Sequence, residues 1–151
     1  MAEITAQTRA ERSAAAMLAT DSASKGLGMR LDHIAPGAAT LSMTVREDML
    51  NGHRIAHGGF LFTLADSAFA FACNSYNQLT VAQQNQITYM APGREGEHVT
   101  ATAVEVSRTG RSGIYDVTVT GENGRTLALM RGLSRTINGT HFDEDGEETT
   151  T

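Results

Sequence analysis

The sequence predicts an α+β fold in which an antiparallel β-sheet of about five to six strands wraps one long central helix. Residues 60–72 are apolar on nearly every side of a helix, as expected of a helix that is buried all round. Segments before and after it alternate apolar and polar residues, which is typical of strands with one buried face. Because no second long apolar helix follows, a sheet is the cover that this helix needs.

The first predicted elements are a helix and a hairpin. Residues 5–20 are rich in alanine and predict a helix that ends near Asp21 or a few residues later. Residues 29–35 and 38–45 alternate as strands do, and Pro36-Gly37 between them is a turn signal. We therefore expect the two segments to pair as an antiparallel hairpin.

The central helix is expected to span roughly residues 58–74 and to be followed by strands. Turn signals such as Pro92-Gly93 separate the segments that follow. We expect an antiparallel meander of four strands, at residues 80–89, 97–107, 113–120 and 125–137.

The length and charge of the chain predict one domain with a short tail. At 151 residues the chain is long enough for one proper core, and we assign residues 1–142 to it. The net charge of −5 is misleading, because five of the 17 acidic residues lie in residues 143–148 and the rest of the chain balances its 12 Lys and Arg. We expect residues 143–151 to be a disordered acidic tail.

The composition also argues against several classes of protein. No basic run is present, so we expect no nucleic-acid partner. No stretch is long and apolar enough for a transmembrane helix or a signal peptide, so we expect no membrane association and a cytoplasmic protein. Cys73 is the single cysteine and lacks the spacing of a metal site, so we expect a small core residue and no metal ion.

The most informative motif is a His-Gly-Gly turn that leads into the apolar helix. Glycines at a helix N-terminus expose backbone N–H groups that favour a developing negative charge. One carboxylate, Asp66, lies within the apolar run, where a charge is costly unless it is paired or used. An oxyanion site and a carboxylate are the parts of an acyl-transfer hydrolase.

The spacing of these two groups predicts a site shared between subunits. Gly58 and Asp66 are eight residues apart, or about 12 Å along a helix. One carbonyl carbon cannot be within reach of both groups of one chain. A symmetric dimer brings Gly58 of one copy to Asp66 of the other, so a homodimer is the minimum assembly expected.

Residues 49–75 resemble the hotdog-fold acyl-CoA thioesterases of phenylacetate degradation, the PaaI family. The resemblance rests on Asn-Gly-His, His-Gly-Gly, Leu-Ala-Asp and Ala-Cys-Asn-Ser in this segment, and it extends over residues 17–137. It implies a helix wrapped by an antiparallel sheet, dimers joined by their sheet edges, and often a homotetramer. It also implies hydrolysis of (hydroxy)phenylacetyl-CoA or similar aryl-acyl-CoA thioesters, with no cofactor besides the CoA of the substrate.

The resemblance also implies roles for four residues. Asp66 matches the catalytic carboxylate, as nucleophile or as general base, and Gly58 the residue whose N–H polarises the thioester carbonyl. Asn51 matches a polar residue that positions the thioester or water. His57 matches a histidine of the entrance loop, although its ring is equally well explained as a hydrogen-bonded pin of the turn.

The CoA phosphates are expected to bind at a charged turn. Arginine suits phosphate, and glycines and backbone N–H groups let a turn form an anion-binding concavity. The candidate CoA-binding residues are Arg108, Gly110, Arg111, Ser112 and Gly113. Arg131 and Arg135 are the alternatives.

Two other functions remain open at this point. A hotdog acyl-CoA dehydratase or hydratase typically needs a histidine on or beside the central helix, and residues 60–74 contain none. A non-catalytic acyl-CoA-binding hotdog domain has no need of a charge such as Asp66. The acyl pocket is undetermined, because Phe60, Phe62, Tyr89 and Met90 fit either a pocket or the core.

Overall fold

A sheet of six strands curves around one long helix in the computed structural model, which describes residues 3–145. The helices are α1 (Ala6–Thr20), α2 (Ser22–Gly26) and α3 (Gly58–Cys73), and the strands are β1 (Arg30–Ala35), β2 (Ala38–Thr44), β3 (Thr80–Tyr89), β4 (His98–Thr109), β5 (Ser112–Thr120) and β6 (Thr126–Thr136). The predicted α+β fold is therefore confirmed, and the ends of the predicted elements lie within two residues of those observed.

Helix α2 is an α-helix that the sequence pattern did not predict. Asp21 ends α1, as expected, but its Oδ1 atom then accepts a hydrogen bond from the backbone N–H of Ser24 at 2.9 Å. An Asp in this position satisfies a free N–H at the start of a helix. Asp21 therefore begins a second short helix where only a stop was expected.

Helix α3 is the centre of the core and contacts all six strands. Its buried residues are apolar: Leu61, Leu64, Ala65, Ala68, Phe69, Phe71, Ala72 and Cys73. The strands supply the matching surface, because every second residue of β4 and β5 points at the helix. Those buried strand residues are Val99, Ala101, Ala103, Tyr115, Val117 and Val119, in the period of two that the sequence predicted.

The order of strands in the sheet is β1-β2-β4-β5-β6-β3, so the expected four-strand meander is wrong in one place. Strands β4, β5 and β6 form a meander, but β3 pairs with β6 at the edge of the sheet and not with β4, its neighbour in sequence. The chain then crosses the end of the sheet to β4, which pairs with β2. Strand order depends on contacts between distant segments, which the period of a single strand does not encode.

The crossing loop is fixed by a group of polar contacts that we call the Glu97 cluster. The carboxylate of Glu97 accepts hydrogen bonds from the backbone N–H of Arg94 at 3.0 Å and of Glu122 at 2.9 Å. Both of its oxygens also accept from the guanidinium of Arg125, at 2.9 and 3.0 Å. Glu97 thereby ties the loop before β4 to the turn between β5 and β6.

Part of the predicted tail lies within the described residues. Glu144 pairs with Arg9 of α1 at 2.7 Å and accepts a hydrogen bond from the Asn77 amide at 3.0 Å. Ordered contacts thus extend into the segment that we expected to be disordered from residue 143. Residues 146–151, the remainder of the predicted tail, lie outside the described residues.

No helix between residues 3 and 145 is long and apolar enough to cross a bilayer.

Candidate active site

Gly58 is the first residue of α3, and its backbone groups have different surroundings. Its carbonyl oxygen accepts a hydrogen bond from the Tyr89 hydroxyl at 2.9 Å, whereas its N–H has no acceptor among the described residues. A free N–H at a helix N-terminus, reinforced by the helix dipole, is suited to a developing oxyanion. A Cβ at this position would lie 2.9 Å from the Tyr89 ring, so a side chain here would displace the ring.

His57 caps the same helix. Its Nδ1 atom accepts a hydrogen bond from the backbone N–H of Gly59 at 2.9 Å. That N–H is one of the donors that a helix start leaves unsatisfied. This hydrogen bond is the one by which the His57 ring was expected to hold the turn in place. A direct chemical role of His57 stays a prediction.

Asn51 closes the loop that leads to α3. Its Oδ1 atom accepts from the backbone N–H groups of His53 at 2.9 Å and of Ile55 at 3.4 Å. Within residues 3–145 its Nδ2 group has no acceptor. Asn51 is therefore rigidly held by one end of its amide and has a donor available at the other.

A crevice of about 420 Å³ lies beside Gly58. Tyr89 and Met90 line it and are 48% and 60% exposed, so these two candidates belong to a pocket wall and not to the core. Phe60 and Phe62, the other two candidates, pack against the core. The remaining lining is mostly apolar and comprises Asn51, Ile55, Ala56, Leu61, Ala91 and Pro92.

Asp66 lies two turns further along α3 and is half-buried. Its Oδ1 atom accepts a hydrogen bond from the Asn85 amide of β3 at 2.8 Å. Within the described chain no Lys or Arg forms an ion pair with it. The carboxylate is thus withdrawn from water with one protein donor, and it faces the edge strand.

The sequence analysis missed Asn85 and the hydroxyl of Tyr89. Both residues lie on the face of β3 that points at α3, as Ile87 between them does. The signal was present, because alternation places Asn85, Ile87 and Tyr89 on one face. A polar residue on the face of an apolar one is the pattern that would have identified Asn85.

The predicted CoA-binding turn is at the other end of the sheet from Gly58. Ser112 is level with Arg135 and Val81 in the strand register. Val81 is eight residues along β3 from Tyr89, about 27 Å at the rise of an antiparallel strand. A single copy of the chain therefore does not bring residues 108–113 to Gly58.

Two side chains of this turn, those of Arg108 and Ser112, contact neighbouring side chains. Arg108 stacks on the Tyr76 ring, with its guanidinium carbon 3.5 Å from the ring centroid, and lies 3.5 Å from Glu105. Gly110 has a φ of +59°, a conformation that favours glycine. A Cβ at Gly113 would lie 2.6 Å from the Ser134 hydroxyl, so packing explains this glycine. Ser112 lies 3.5 Å from Arg135.

Arg131, an alternative ligand for the CoA phosphates, is already paired with a carboxylate. Its guanidinium forms two hydrogen bonds to Asp116, at 2.7 and 2.9 Å. Hydrogen bonding to Arg131 lowers the pKa of Asp116, so the pair is charged on both sides at neutral pH.

Cys73 is buried at the end of α3. Burial raises the pKa of its thiol to about 12. A thiol that stays protonated is a poor nucleophile and metal ligand, in agreement with the predicted core role.

Comparisons with known proteins agree with this architecture. The thioesterase superfamily model matches residues 53–128. The acyl-coenzyme A thioesterase PaaI of Escherichia coli is 42% identical over 132 residues, which are 87% of this chain and 94% of that protein.

Two solved structures give the same result. The structure of the E. coli PaaI protein from the phenylacetic acid degradation operon has a TM-score of 0.89 at 40% identity and covers 90% of this chain and 99% of its own. A mutant of the phenylacetic acid degradation protein PaaI from Thermus thermophilus has a TM-score of 0.75 at 41% identity and covers 78% and 100%.

Proposed function

The chain belongs to the thioesterase superfamily, and within it to the PaaI acyl-CoA thioesterases, and from this membership we propose that it hydrolyses aryl-acetyl-CoA thioesters such as (hydroxy)phenylacetyl-CoA. The observation that carries the proposal is the apolar crevice at the free N–H of Gly58, walled by the Tyr89 ring. An aromatic ring beside an apolar pocket favours a flat aryl group. The phenylacetic acid degradation operon that encodes the E. coli relative supports the same class.

In the mechanism, the N–H of Gly58 and the dipole of α3 stabilise the negative charge that develops on the thioester oxygen. Asn51 donates its free amide N–H to the thioester or to water. Asp66 is the nucleophile or the general base that activates water. A dehydratase is less well supported, because the histidine beside α3 uses its Nδ1 atom to cap the helix.

A substrate screen tests the proposal. We expect kcat/KM for phenylacetyl-CoA to exceed that for straight-chain acyl-CoAs of similar size by at least about tenfold. The Asp66→Asn variant is the control for background hydrolysis. A preference for straight-chain substrates would reject the aryl assignment and keep the thioesterase.

We propose further that the active species is a homodimer joined along β3. This strand pairs with β6 on one side only and is exposed along most of its length. An unpaired edge strand is a template for a second chain. Because Asp66 contacts β3 through Asn85, pairing of two β3 strands puts the carboxylate at the joint between copies. The family resemblance implies a homotetramer of two such dimers.

Mixed dimers test the shared site. Gly58→Pro removes the N–H donor at a first helical position where proline is tolerated, and Asp66→Asn removes the carboxylate. Each mixed dimer keeps one intact site, so random mixing should restore about a quarter of wild-type activity. Gly58→Ala is the matched control, because it adds the same Cβ beside Tyr89 but retains the N–H. No recovery despite demonstrated subunit exchange would exclude a shared site.

The dimer also supports the proposed CoA site. Antiparallel pairing of two β3 strands sets the far end of one copy beside the Gly58 end of the other, and the turn at residues 108–113 belongs to that far end. Replacing Arg108 and Arg111 by Ala should raise KM and leave kcat largely unchanged. A truncated pantetheine thioester without nucleotide phosphates should show a smaller loss. Equal losses with both substrates would place the phosphates elsewhere.

A further inference from the structure

Asn85 connects the middle of the catalytic helix to the edge strand, as Tyr89 does at the start of that helix. It lies on β3, opposite Gly132 of β6 in the strand register. The Phe69 ring of α3 fills the space above Gly132, where a Cβ would lie 2.9 Å from the ring. Helix and sheet therefore approach closely at this point, and the Asn85 amide spans the gap to Asp66 at 2.8 Å.

The chemistry of the contact decides which end of the amide faces Asp66. An ionised carboxylate only accepts hydrogen bonds, so the NH₂ group of Asn85 must point at it. One oxygen of Asp66 is thereby engaged, and in the described chain the other has no protein donor. The oxygen left without a donor is the one that can take a proton.

The other end of the same amide is unsatisfied. The Oδ1 atom of Asn85 is almost completely buried and has no hydrogen-bond partner among the described residues. Most buried polar atoms in proteins have a partner, and an unpaired one reduces stability. Among the described residues, the hydrogen bond to Asp66 is therefore the one polar contact of this side chain.

We propose that Asn85 is a positioning residue of the active site, which orients the carboxylate of Asp66 through its NH₂ group. This inference rests on the proposed function and deepens it. With one oxygen held by Asn85, the other oxygen of Asp66 is the one that takes a proton from water, so Asp66 acts as the general base.

The hydrolysis then proceeds in two steps, the addition of water and the departure of the sulfur. The water oxygen forms a bond to the thioester carbon while one water proton moves to Asp66. The tetrahedral intermediate reforms its carbonyl group, the carbon–sulfur bond breaks, and the departing sulfur takes the proton from Asp66. The products are the carboxylic acid and CoA, and Asp66 is again ionised.

The test is a double-mutant cycle that combines Asn85→Leu with Asp66→Asn. Leu has the same branched shape as Asn, is somewhat larger, and lacks both polar atoms. We expect Asn85→Leu to lower kcat by at least about tenfold with KM changed by less than about threefold. In the Asp66→Asn background the same change should lower kcat by less than about twofold, because Asn85 acts with Asp66.

Two more variants keep the result interpretable. Gln86→Leu is the matched control, since Gln86 lies on the same strand with its side chain on the opposite face, and it should retain wild-type kcat. Asn85→Asp preserves the shape but replaces the donor by a second carboxylate, so it should lose at least as much activity as Asn85→Leu. If Asn85→Leu does not fold, the kcat of Asn85→Asp tests the role of Asn85 in its place.

The outcomes separate this inference from the proposed function. Wild-type kcat in folded Asn85→Leu, or an equal loss in both backgrounds, would overturn the role of Asn85. If Asp66→Asn itself keeps normal turnover, the catalytic assignment of Asp66 fails first.

Discussion

Asp66 and Glu97 are two carboxylates packed against the same core, and their surroundings differ in one decisive respect. Glu97 is 7% exposed and accepts hydrogen bonds from two backbone N–H groups and from the guanidinium of Arg125. Within residues 3–145, Asp66 has a single donor, Asn85. The carboxylate of Glu97 thus holds two loops together. In the described chain, one oxygen of Asp66 has no hydrogen-bond donor.

The pKa of Glu97 reflects its full set of donors. Burial alone would raise this pKa, but the N–H groups of Arg94 and Glu122 and the charge of Arg125 together outweigh burial and lower it. A carboxylate saturated in this way is stable as an ion and has nothing to offer a substrate. Hydrogen-bond saturation therefore distinguishes Glu97, a structural carboxylate, from Asp66, which we propose to be the reactive one.

Replacing Asp66 by Asn should produce the largest effect. The amide has nearly the same size but cannot accept a proton from water, so kcat should fall by about 10² to 10⁴. The variant should unfold at the same temperature as wild type or higher, because a charge with few partners has been removed from a half-buried site. Kinetics and thermal unfolding measured on one preparation check both points. Near-normal turnover in folded protein would favour the binding-domain alternative.

The same carboxylate-to-amide change at Glu97 should act in the opposite way. Glu97→Gln turns an NH₂ group toward N–H donors and leaves Arg125 without its counter-charge, at a cost of about 1 to 3 kcal/mol in the free energy of unfolding. The folded fraction should keep wild-type kcat, since no residue of the cluster lines the crevice itself; Arg125 contacts its wall through a hydrogen bond to the Pro92 carbonyl at 3.0 Å. Urea denaturation with activity normalised to folded protein measures this, and a loss of kcat without a loss of stability would contradict the comparison.

Acid should abolish the difference between wild type and Glu97→Gln. The folded protein lowers the pKa of Glu97 below its ordinary value of 4.5, so the stabilisation is complete above that pH and disappears as the pH falls through the folded value. The gap in urea midpoint should be full at pH 7 and narrow progressively below about pH 4.5. A gap that widened in acid would show that charge is not what Glu97 contributes.

A third carboxylate, Glu144, should give the smallest effect. Its hydrogen bond to Arg9 lowers its pKa to about 2, but the pair is exposed, and exposed ion pairs contribute little. Deleting residues 143–151 should leave kcat unchanged and shift the melting temperature by less than about 2 °C. A decrease of several degrees in the melting temperature would mean that the exposed Arg9–Glu144 ion pair contributes as much to stability as the contacts of Glu97 do.

The local features of the site were predictable because they depend on near neighbours in the chain. The apolar period of residues 60–72 defined α3, and the glycines marked its start. The separation of Gly58 and Asp66 followed from the rise of a helix. The position of residues 108–113 relative to Gly58 did not follow, because it depends on strand pairing.

The sequence by itself determined the α+β class, the six strands, the buried helix and the family. The first three follow from the periodic pattern of apolar and polar residues, and the family follows from a contiguous motif. The tertiary structure alone decided that β3 lies at the edge of the sheet, that Asn85 meets Asp66, and that Glu97 is saturated while Asp66 is not. The side-chain contacts of Asp66 with Asn85 and of Glu97 with Glu122 and Arg125 join residues 19 to 28 positions apart, and β3 pairs with β6 over 39 to 56 positions. Such pairings result from the packing of the whole sheet around α3, because many strand orders satisfy the same alternating pattern and the burial of this helix selects among them.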